Sequence, residues 1–268
     1  MYKMIVMDMD GTLLTDDKRI SDRNKKALKD AANKGVKIAI STGRIFTSAL
    51  VYGKMIGVDV PIISSNGAYI REEDKDEVIY VRILGEENIR NILNTAQKYG
   101  LNYSMFSWNA LFAETLIHTS LNYAKWNENL PEDQKVKIVR VDRSQWDNVI
   151  EENKGSILKM VMTSEDKESL AKCSKELKTF DIEVTSSYPI NIEVMNKGVS
   201  KGNAVEFLAK YYKLDRSDII CMGDNDNDVS MIKYAGLGIA MGNGNEHAKE
   251  AADFITLSNE EDGVAYAI

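Results

Sequence analysis

Two carboxylates stand two residues apart where a short apolar run ends: Met4-Ile5-Val6-Met7 leads directly into Asp8-Met9-Asp10-Gly11-Thr12. Side chains at i and i+2 of a strand point to the same side, so Asp8 and Asp10 can face one reaction centre, while Gly11 lets the backbone turn closely around it. Such a pair suits one carboxylate as nucleophile or metal ligand and the other as proton donor and acceptor. The same residue types also end strands for ordinary turn reasons, so the pair gains weight only from what else the chain carries.

Three further clusters follow apolar runs or open helices. Ser41-Thr42-Gly43-Arg44 closes the run over 36–40, and a hydroxyl followed by glycine at a strand end leaves a side-chain donor and open backbone N–H groups for an anion. Capping of the next helix by Ser41 or Thr42 is the plainer use of those hydroxyls. Ser200 reads as an N-cap that places Lys201 in a first helical turn, where a cation is electrostatically unfavourable and calls for a compensating anion. Gly223-Asp224-Asn225-Asp226-Asn227-Asp228 crowds carboxylates at the end of Ile219-Ile220-Cys221-Met222, and hard oxygen donors of this kind favour Mg²⁺. A calcium loop starting at Asp224 would need Gly and Glu where Val229 and Ala235 stand.

Other chemistries lack their residues. No G-x-x-x-x-G-K-[ST] loop is present, no dinucleotide glycine fingerprint stands between a strand and a helix, and Gly242-Asn243-Gly244 is too short a substitute. His118 and His247 are the only histidines, without H-E-x-x-H or evident ligand companions, which argues against a zinc hydrolase. Cys173 and Cys221 form no CxxC and read as buried fillers. A net charge of −7 without a Lys/Arg block gives no basis for a nucleic-acid or membrane partner. With no signal-peptide pattern and no apolar stretch near the roughly 18 residues of a span, the expected location is cytoplasmic.

The elements that must position these clusters have an α/β grammar. Strands over 4–7, 36–40 and 61–63 alternate with helices over 21–33 and 46–55, the pattern of a parallel sheet covered on both faces. A helix over 200–212, strands over 219–222 and 237–240, a helix over 229–234 and the run over 254–257 resume it. Between them come hairpin arms over 69–72 and 78–81, and after these the helices over 86–99 and 166–177 and the strands over 101–106, 135–140, 157–162 and 181–185 read as an α+β insertion. The expected domains are a core from 1–83 and 190–268 and an insert over 84–189.

Asp8-Met9-Asp10-Gly11-Thr12-Leu13-Leu14, Ser41-Thr42-Gly43-Arg44, Ser65-Asn66-Gly67-Ala68, Lys201-Gly202 and Gly223-Asp224-Asn225-Asp226-Asn227-Asp228 occur in one order that resembles the haloacid dehalogenase superfamily, in its Cof-type, YidA-like branch. The resemblance covers essentially the whole chain, including Met241-Gly242-Asn243 and the stretch over 258–265. It implies a Rossmann-like core with strand order 5-4-1-2-3 and an inserted α+β cap of the larger, C2 type. It also implies a phosphatase for small phosphomonoesters, sugar phosphates first and flavin or pyridoxal phosphates as the alternative. A phosphomutase or phosphonatase on the same core is the enzymatic rival, and a non-catalytic metabolite-binding protein the remaining class.

On that resemblance Asp8 is the nucleophile that becomes an aspartyl phosphate, and Asp10 protonates the leaving alcohol and then activates water. Asp8, Asp224 and Asp228, with the main-chain carbonyl of Asp10, would hold Mg²⁺. Thr42, Lys201 and Asn227 would hold phosphate, and Gly43, Arg44 and Asn66 would lie beside the substrate. The cap is expected to contact the leaving group, with Trp108, Asn109, His118, Tyr123 and Trp126 as polar or aromatic candidates. Tyr123 and Trp126, at helical spacing, fit core packing better than a ligand box. Asp226 departs from the family pattern, and an outward side chain suits it.

Overall fold

The computed structural model describes residues 2–75 and 77–268. Along the chain it places β1 (Met4–Met7), α1 (Asp22–Asn33), β2 (Lys37–Ser41), α2 (Phe46–Ile56), β3 (Pro61–Ser64), β4 (Tyr69–Glu72) and β5 (Val78–Val81). There follow α3 (Glu86–Lys98), β6 (Asn102–Phe106), β7 (Ala110–Ala113), α4 (His118–Asn127), β8 (Lys137–Arg140), α5 (Trp146–Asn153), β9 (Lys159–Thr163), α6 (Lys167–Leu177), β10 (Ile182–Thr185) and β11 (Asn191–Asn196). The last third holds α7 (Lys201–Tyr211), β12 (Ile219–Gly223), α8 (Val229–Tyr234), β13 (Leu237–Ala240), α9 (Glu246–Ala251), β14 (Phe254–Ile255) and α10 (Gly263–Ala267).

Two compact units result, one of Met1–Arg44, Ala49–Tyr80 and Ser200–Ile268, the other of Ile45–Ser48 and Val81–Val199. The first carries a sheet in the order β14-β13-β12-β1-β2-β3-β4-β5. Pairing is parallel from β14 through β3 and antiparallel from β3 to β4. Its middle, β13-β12-β1-β2-β3, is the 5-4-1-2-3 order of a Rossmann-like core.

Because side chains alternate along a strand, Met4 and Val6 of β1 share one face with Ile219 and Cys221 of β12. The apolar side of α7, Ala204, Val205 and Leu208, covers that face. Burying each such Val or Leu contributes about 1.5–3 kcal/mol, which anchors α7 against the strands that carry the acidic loops.

The second unit is a six-stranded sheet in the order β10-β11-β9-β6-β7-β8, antiparallel except for the β7–β8 pair. Met105, Met160, Ile192 and Val194 point to one face, where α3, α5 and α6 supply Ile92, Ile150 and Leu170. Phe106 and Val161 point the other way and meet Tyr123 and Trp126 of α4. Those two aromatics therefore pack in a core cluster.

The sequence reading ended the insert at 189, yet β11 pairs with both β9 and β10 and stays in the second unit. The reason is chemical: Asn191 and Glu193 alternate with Ile192 and Val194, and a strand with polar residues on one face does not stand out as an apolar run. No helix of the described residues is long and apolar enough to cross a membrane.

Candidate active site

β1 and β12 run side by side in parallel, with Met7 opposite Met222, so the residues that follow each strand leave the sheet at the same end. The Asp8 N–H still donates to the Met222 carbonyl at 3.0 Å, which fixes the first carboxylate against the next strand. Gly11, with φ 83°, then reverses the chain so closely that a Cβ there would lie 2.5 Å from Asp224 Oδ2. The Thr12 hydroxyl donates to Asp224 Oδ1 at 2.9 Å. The turn after the first carboxylate is thus shaped to receive the second acidic loop.

α7 delivers the cation. Ser200 caps the helix by accepting from the Asn203 N–H at 3.1 Å, and the Gly202 N–H donates to the Ser230 hydroxyl of α8 at 3.0 Å. Glycine is required at 202 because a Cβ would stand 2.5 Å from the Ser230 carbonyl oxygen. Lys201 is consequently buried, with Nζ 2.5 Å from Asp8 Oδ1 and 2.6 Å from Asp228 Oδ1. The compensating anion that its first-turn position calls for is supplied twice over. Asp228 also accepts from the Asp224 and Asn225 N–H groups at 3.0 Å each, which ties the acidic loop into one ring.

The electrostatics follow from three carboxylates crowding one ammonium. Burial pushes the Asp8 carboxyl well above the usual carboxylate range; the Lys201 ammonium opposes this, and Asp228 and Asp224 add to it. Burial and the Asp228 charge raise Asp224 to about 7, against the pull of the Thr12 hydrogen bond. For Lys201 burial works toward the neutral form, but Asp228 and Asp8 more than offset it and hold the ammonium charged. Asp8, Asp224 and Asp228 offer carboxylate oxygens that all lie within 4.8 Å of one another. Three crowded oxygen donors facing a single ammonium fit a hard divalent cation in chemistry and spacing.

Asp10 has other company. Its Oδ2 accepts from Arg44 Nε at 2.6 Å and its Oδ1 from Arg44 Nη2 at 2.7 Å, a bidentate fork, and Lys18 Nζ donates to Oδ1 at 2.8 Å. Burial favours the neutral acid, but the Arg44 hydrogen bonds and the Arg44 and Lys18 charges outweigh it and keep the carboxyl far below its ordinary range. The Arg44 guanidinium in turn lies over the Tyr52 ring, 4.8 Å from its centroid. Arg44, expected beside the substrate, thus clamps a carboxylate of the first loop.

The Thr42 side chain is buried, and its oxygen accepts from the Arg44 N–H at 3.2 Å. Asn66 adopts φ 58° and accepts from Asn227 Nδ2 at 3.2 Å, joining the loop after β3 to the acidic loop. A Cβ on Gly43 would stand 2.9 Å from Asn66 Oδ1, so the Thr42-Gly43-Arg44 turn abuts this bridge. Asp226 turns away from the cation-sized cluster toward Asn245 Nδ2 at 3.0 Å and His247 Nδ1 at 2.8 Å. Its hydrogen bond and charge raise the His247 pKa. His118, in the second unit, lies 3.4 Å from Glu165.

Lys18 and Tyr52 escaped the sequence reading. Lys18 sits at φ 62° in a turn where its N–H donates to the Thr15 carbonyl at 2.9 Å, and only that fold-back brings its ammonium to Asp10. The run Thr15-Asp16-Asp17-Lys18 carried a turn signal but nothing that aimed the lysine.

A parallel sheet with two acidic loops, a hydroxyl turn and a buried lysine at one end defines a Rossmann-like hydrolase. The haloacid dehalogenase-like hydrolase family matches this chain over residues 5–268. The chain belongs to that family, in its Cof-type phosphatase group, and is a phosphoric monoester hydrolase. It is 33% identical to the 5-amino-6-(5-phospho-D-ribitylamino)uracil phosphatase YcsE of Bacillus subtilis, over 99% of this chain and 94% of that protein. A haloacid dehalogenase-like hydrolase from B. subtilis superposes with a TM-score of 0.86 at 27% identity, covering 98% of this chain and 97% of the other. The subclass IIB sugar phosphatase BT4131 superposes with a TM-score of 0.79 at 25% identity, covering 99% and 97%.

Proposed function

We propose that this enzyme hydrolyses small soluble phosphomonoesters, sugar phosphates foremost, through an aspartyl phosphate on Asp8. The observation that carries the reading is the buried meeting of Asp8, Asp224 and Asp228 around Lys201 at the end of the parallel strands. In this reading Asp8, Asp224, Asp228 and the main-chain carbonyl of Asp10 hold Mg²⁺. The bound cation would neutralise charge on the carboxylates and the phosphate, which lets an anionic nucleophile approach an anionic ester.

Asp8 attacks phosphorus as the bond to the leaving oxygen breaks, and Asp10 gives that oxygen a proton. Asp10 then takes a proton from the water that attacks the phosphoryl group, releasing inorganic phosphate and restoring Asp8. Arg44 and Lys18 hold Asp10 ionised without substrate, the form the second half-reaction needs; the proton that the first requires enters on the monoanionic ester, and the one taken from water leaves with the released phosphate. Lys201, the Thr42 hydroxyl, the Gly43 N–H and Asn227 stabilise the equatorial phosphoryl oxygens. Asn66 braces Asn227, and Arg44 sets the Asp10 carboxylate.

A sugar phosphate suits the likeness to BT4131. A second reading, a phosphorylated ribitylamino-pyrimidine, is favoured by the 33% identity with YcsE. The test is phosphate release across a panel holding both classes together with flavin and pyridoxal phosphates, with Mg²⁺ removed by chelation and then restored. Metal-dependent release from small monoesters is expected, with kcat/KM ranking the substrates. Turnover unchanged by exhaustive chelation, or an isomerised phosphosugar in place of free phosphate, would contradict the reading.

A further inference from the structure

The turn that carries Asp10, Gly11 and Thr12 is closed by one short backbone bond, from the Leu14 N–H to the Met9 carbonyl at 2.8 Å, while inside it the Thr12 N–H reaches the Met9 carbonyl at 3.4 Å and the Leu13 N–H reaches the Asp8 carbonyl at 3.3 Å. The two inner bonds are long for backbone hydrogen bonds. The turn must still hold Gly11 against Asp224 and the Thr12 hydroxyl on Asp224, so its position calls for support from outside.

That support comes from two asparagines far along the chain. Asn243 Nδ2 donates to the Gly11 carbonyl at 2.8 Å, while its Oδ1 accepts from the Asn259 N–H at 3.0 Å. Asn259 is buried, and its Nδ2 donates to the Leu14 carbonyl at 3.0 Å and to Asp16 Oδ1 at 3.2 Å. The two side chains thus grip the turn at both ends, Gly11 and Leu14.

The same segment reaches the other acidic loop. The Met241 N–H donates to the Gly223 carbonyl at 3.0 Å, and the Asn245 N–H donates to the Asp224 carbonyl at 2.9 Å. Asn245 Nδ2 adds a bond to Asn225 Oδ1 at 3.2 Å. Residues 241–245 therefore touch the main chain beside Asp10 and the main chain of Asp224 within five residues. The amide is well suited to such a bridge, because one planar group offers a donor and an acceptor at a fixed separation.

We infer that Asn243 and Asn259 are positioning residues that set the spacing between the nucleophile loop and the acidic loop, acting through Gly11, Leu14 and Asp224 and touching no reacting atom. This rests on the phosphatase reading for its catalytic consequence, though not for its structural one. Asn243 is exposed, so its replacement opens no cavity in the core.

The test compares Asn243→Ala and Asn259→Ala with the parent protein in three measurements. Backbone amide exchange over residues 10–14 of the metal-free protein should quicken, by about tenfold for Asn243→Ala, as one bond on the turn is lost. Mg²⁺ binding by calorimetry should weaken roughly fivefold, and kcat for p-nitrophenyl phosphate should fall by about the same factor with KM nearly unchanged. Asn259→Ala should exceed Asn243→Ala in all three.

A lower thermal midpoint with amide exchange, Mg²⁺ affinity and kcat all unchanged would overturn the inference, since it would leave these residues a structural role alone. If the parent protein released no phosphate from any monoester, the phosphatase reading would fall, while amide exchange would still decide whether the two asparagines hold the turn.

Discussion

Lys201 and Lys159 are both buried lysines in ion pairs, one in each unit, and their surroundings differ. Lys201 faces Asp8 and Asp228, with Asp224 close by, at the loops where parallel strands end. Lys159 lies within β9 and meets Glu193 of β11 at 2.7 Å; Glu193 also accepts from the Ser187 hydroxyl and from Asn191 Nδ2. In the first setting carboxylates outnumber the cation, and in the second an ammonium and a carboxylate meet with added hydrogen bonds. A buried surplus of negative charge costs stability unless something else binds there, whereas a paired and hydrogen-bonded charge resists removal of either partner. The contrast separates a site kept for chemistry from a polar pin kept for structure.

The largest effect that can break this comparison is on turnover. Asp8→Asn should lower kcat by about 10⁴-fold or more, as removal of a nucleophile does, without lowering the thermal midpoint of the metal-free protein. Steady-state kinetics and calorimetry on one preparation check both halves. A destabilised variant that kept substantial turnover would invert the assignment.

Glu193→Gln should destabilise the fold by about 3–5 kcal/mol in urea unfolding, because it removes the carboxylate facing a buried ammonium. The double replacement Lys159→Met/Glu193→Leu should recover most of that loss. A single replacement as stable as the parent would show that the pair is no pin.

Asp10→Asn should slow phosphate release from poor alcohol leaving groups by roughly 10²–10³-fold and from an activated aryl phosphate much less. Equal losses for both substrates would count against leaving-group protonation. The smallest effect belongs to the helix that delivers Lys201. Ser200→Ala should cost about 1 kcal/mol through loss of the N-cap, read as a lower denaturation midpoint with an unchanged m-value.

Much of the core was legible because its signals are local. Short apolar runs marked β1, β2, β3, β12 and β13, and Ser200 announced the helix it caps. The insert was read less completely. β7 is only four residues long, α5 only eight, and α4 has no wide apolar stripe, since it buries little beyond Ser120, Tyr123 and Trp126. β11 was hidden because the cation that makes Glu193 acceptable inside lies elsewhere: Lys159 is separated from Glu193 by 34 positions.

The same distinction runs through the site. The residue types at Asp8, Thr42, Lys201, Asp224 and Asp228 stood out from their places at strand and helix ends. Arg44 on Asp10, across 34 positions, and Asn243 on Gly11, across 232, depend on how loops fold back and carry no local mark.

The central claim is that Asp8 becomes covalently phosphorylated during turnover. The direct measurement is rapid acid quench of the enzyme with a good phosphomonoester and Mg²⁺, followed by peptide mass spectrometry. A single phosphoryl group on the peptide holding Asp8, formed before steady state and absent from Asp8→Asn, is the expected result. Full phosphate release with no phosphopeptide at any time, or a phosphoryl group on a different residue, would contradict it.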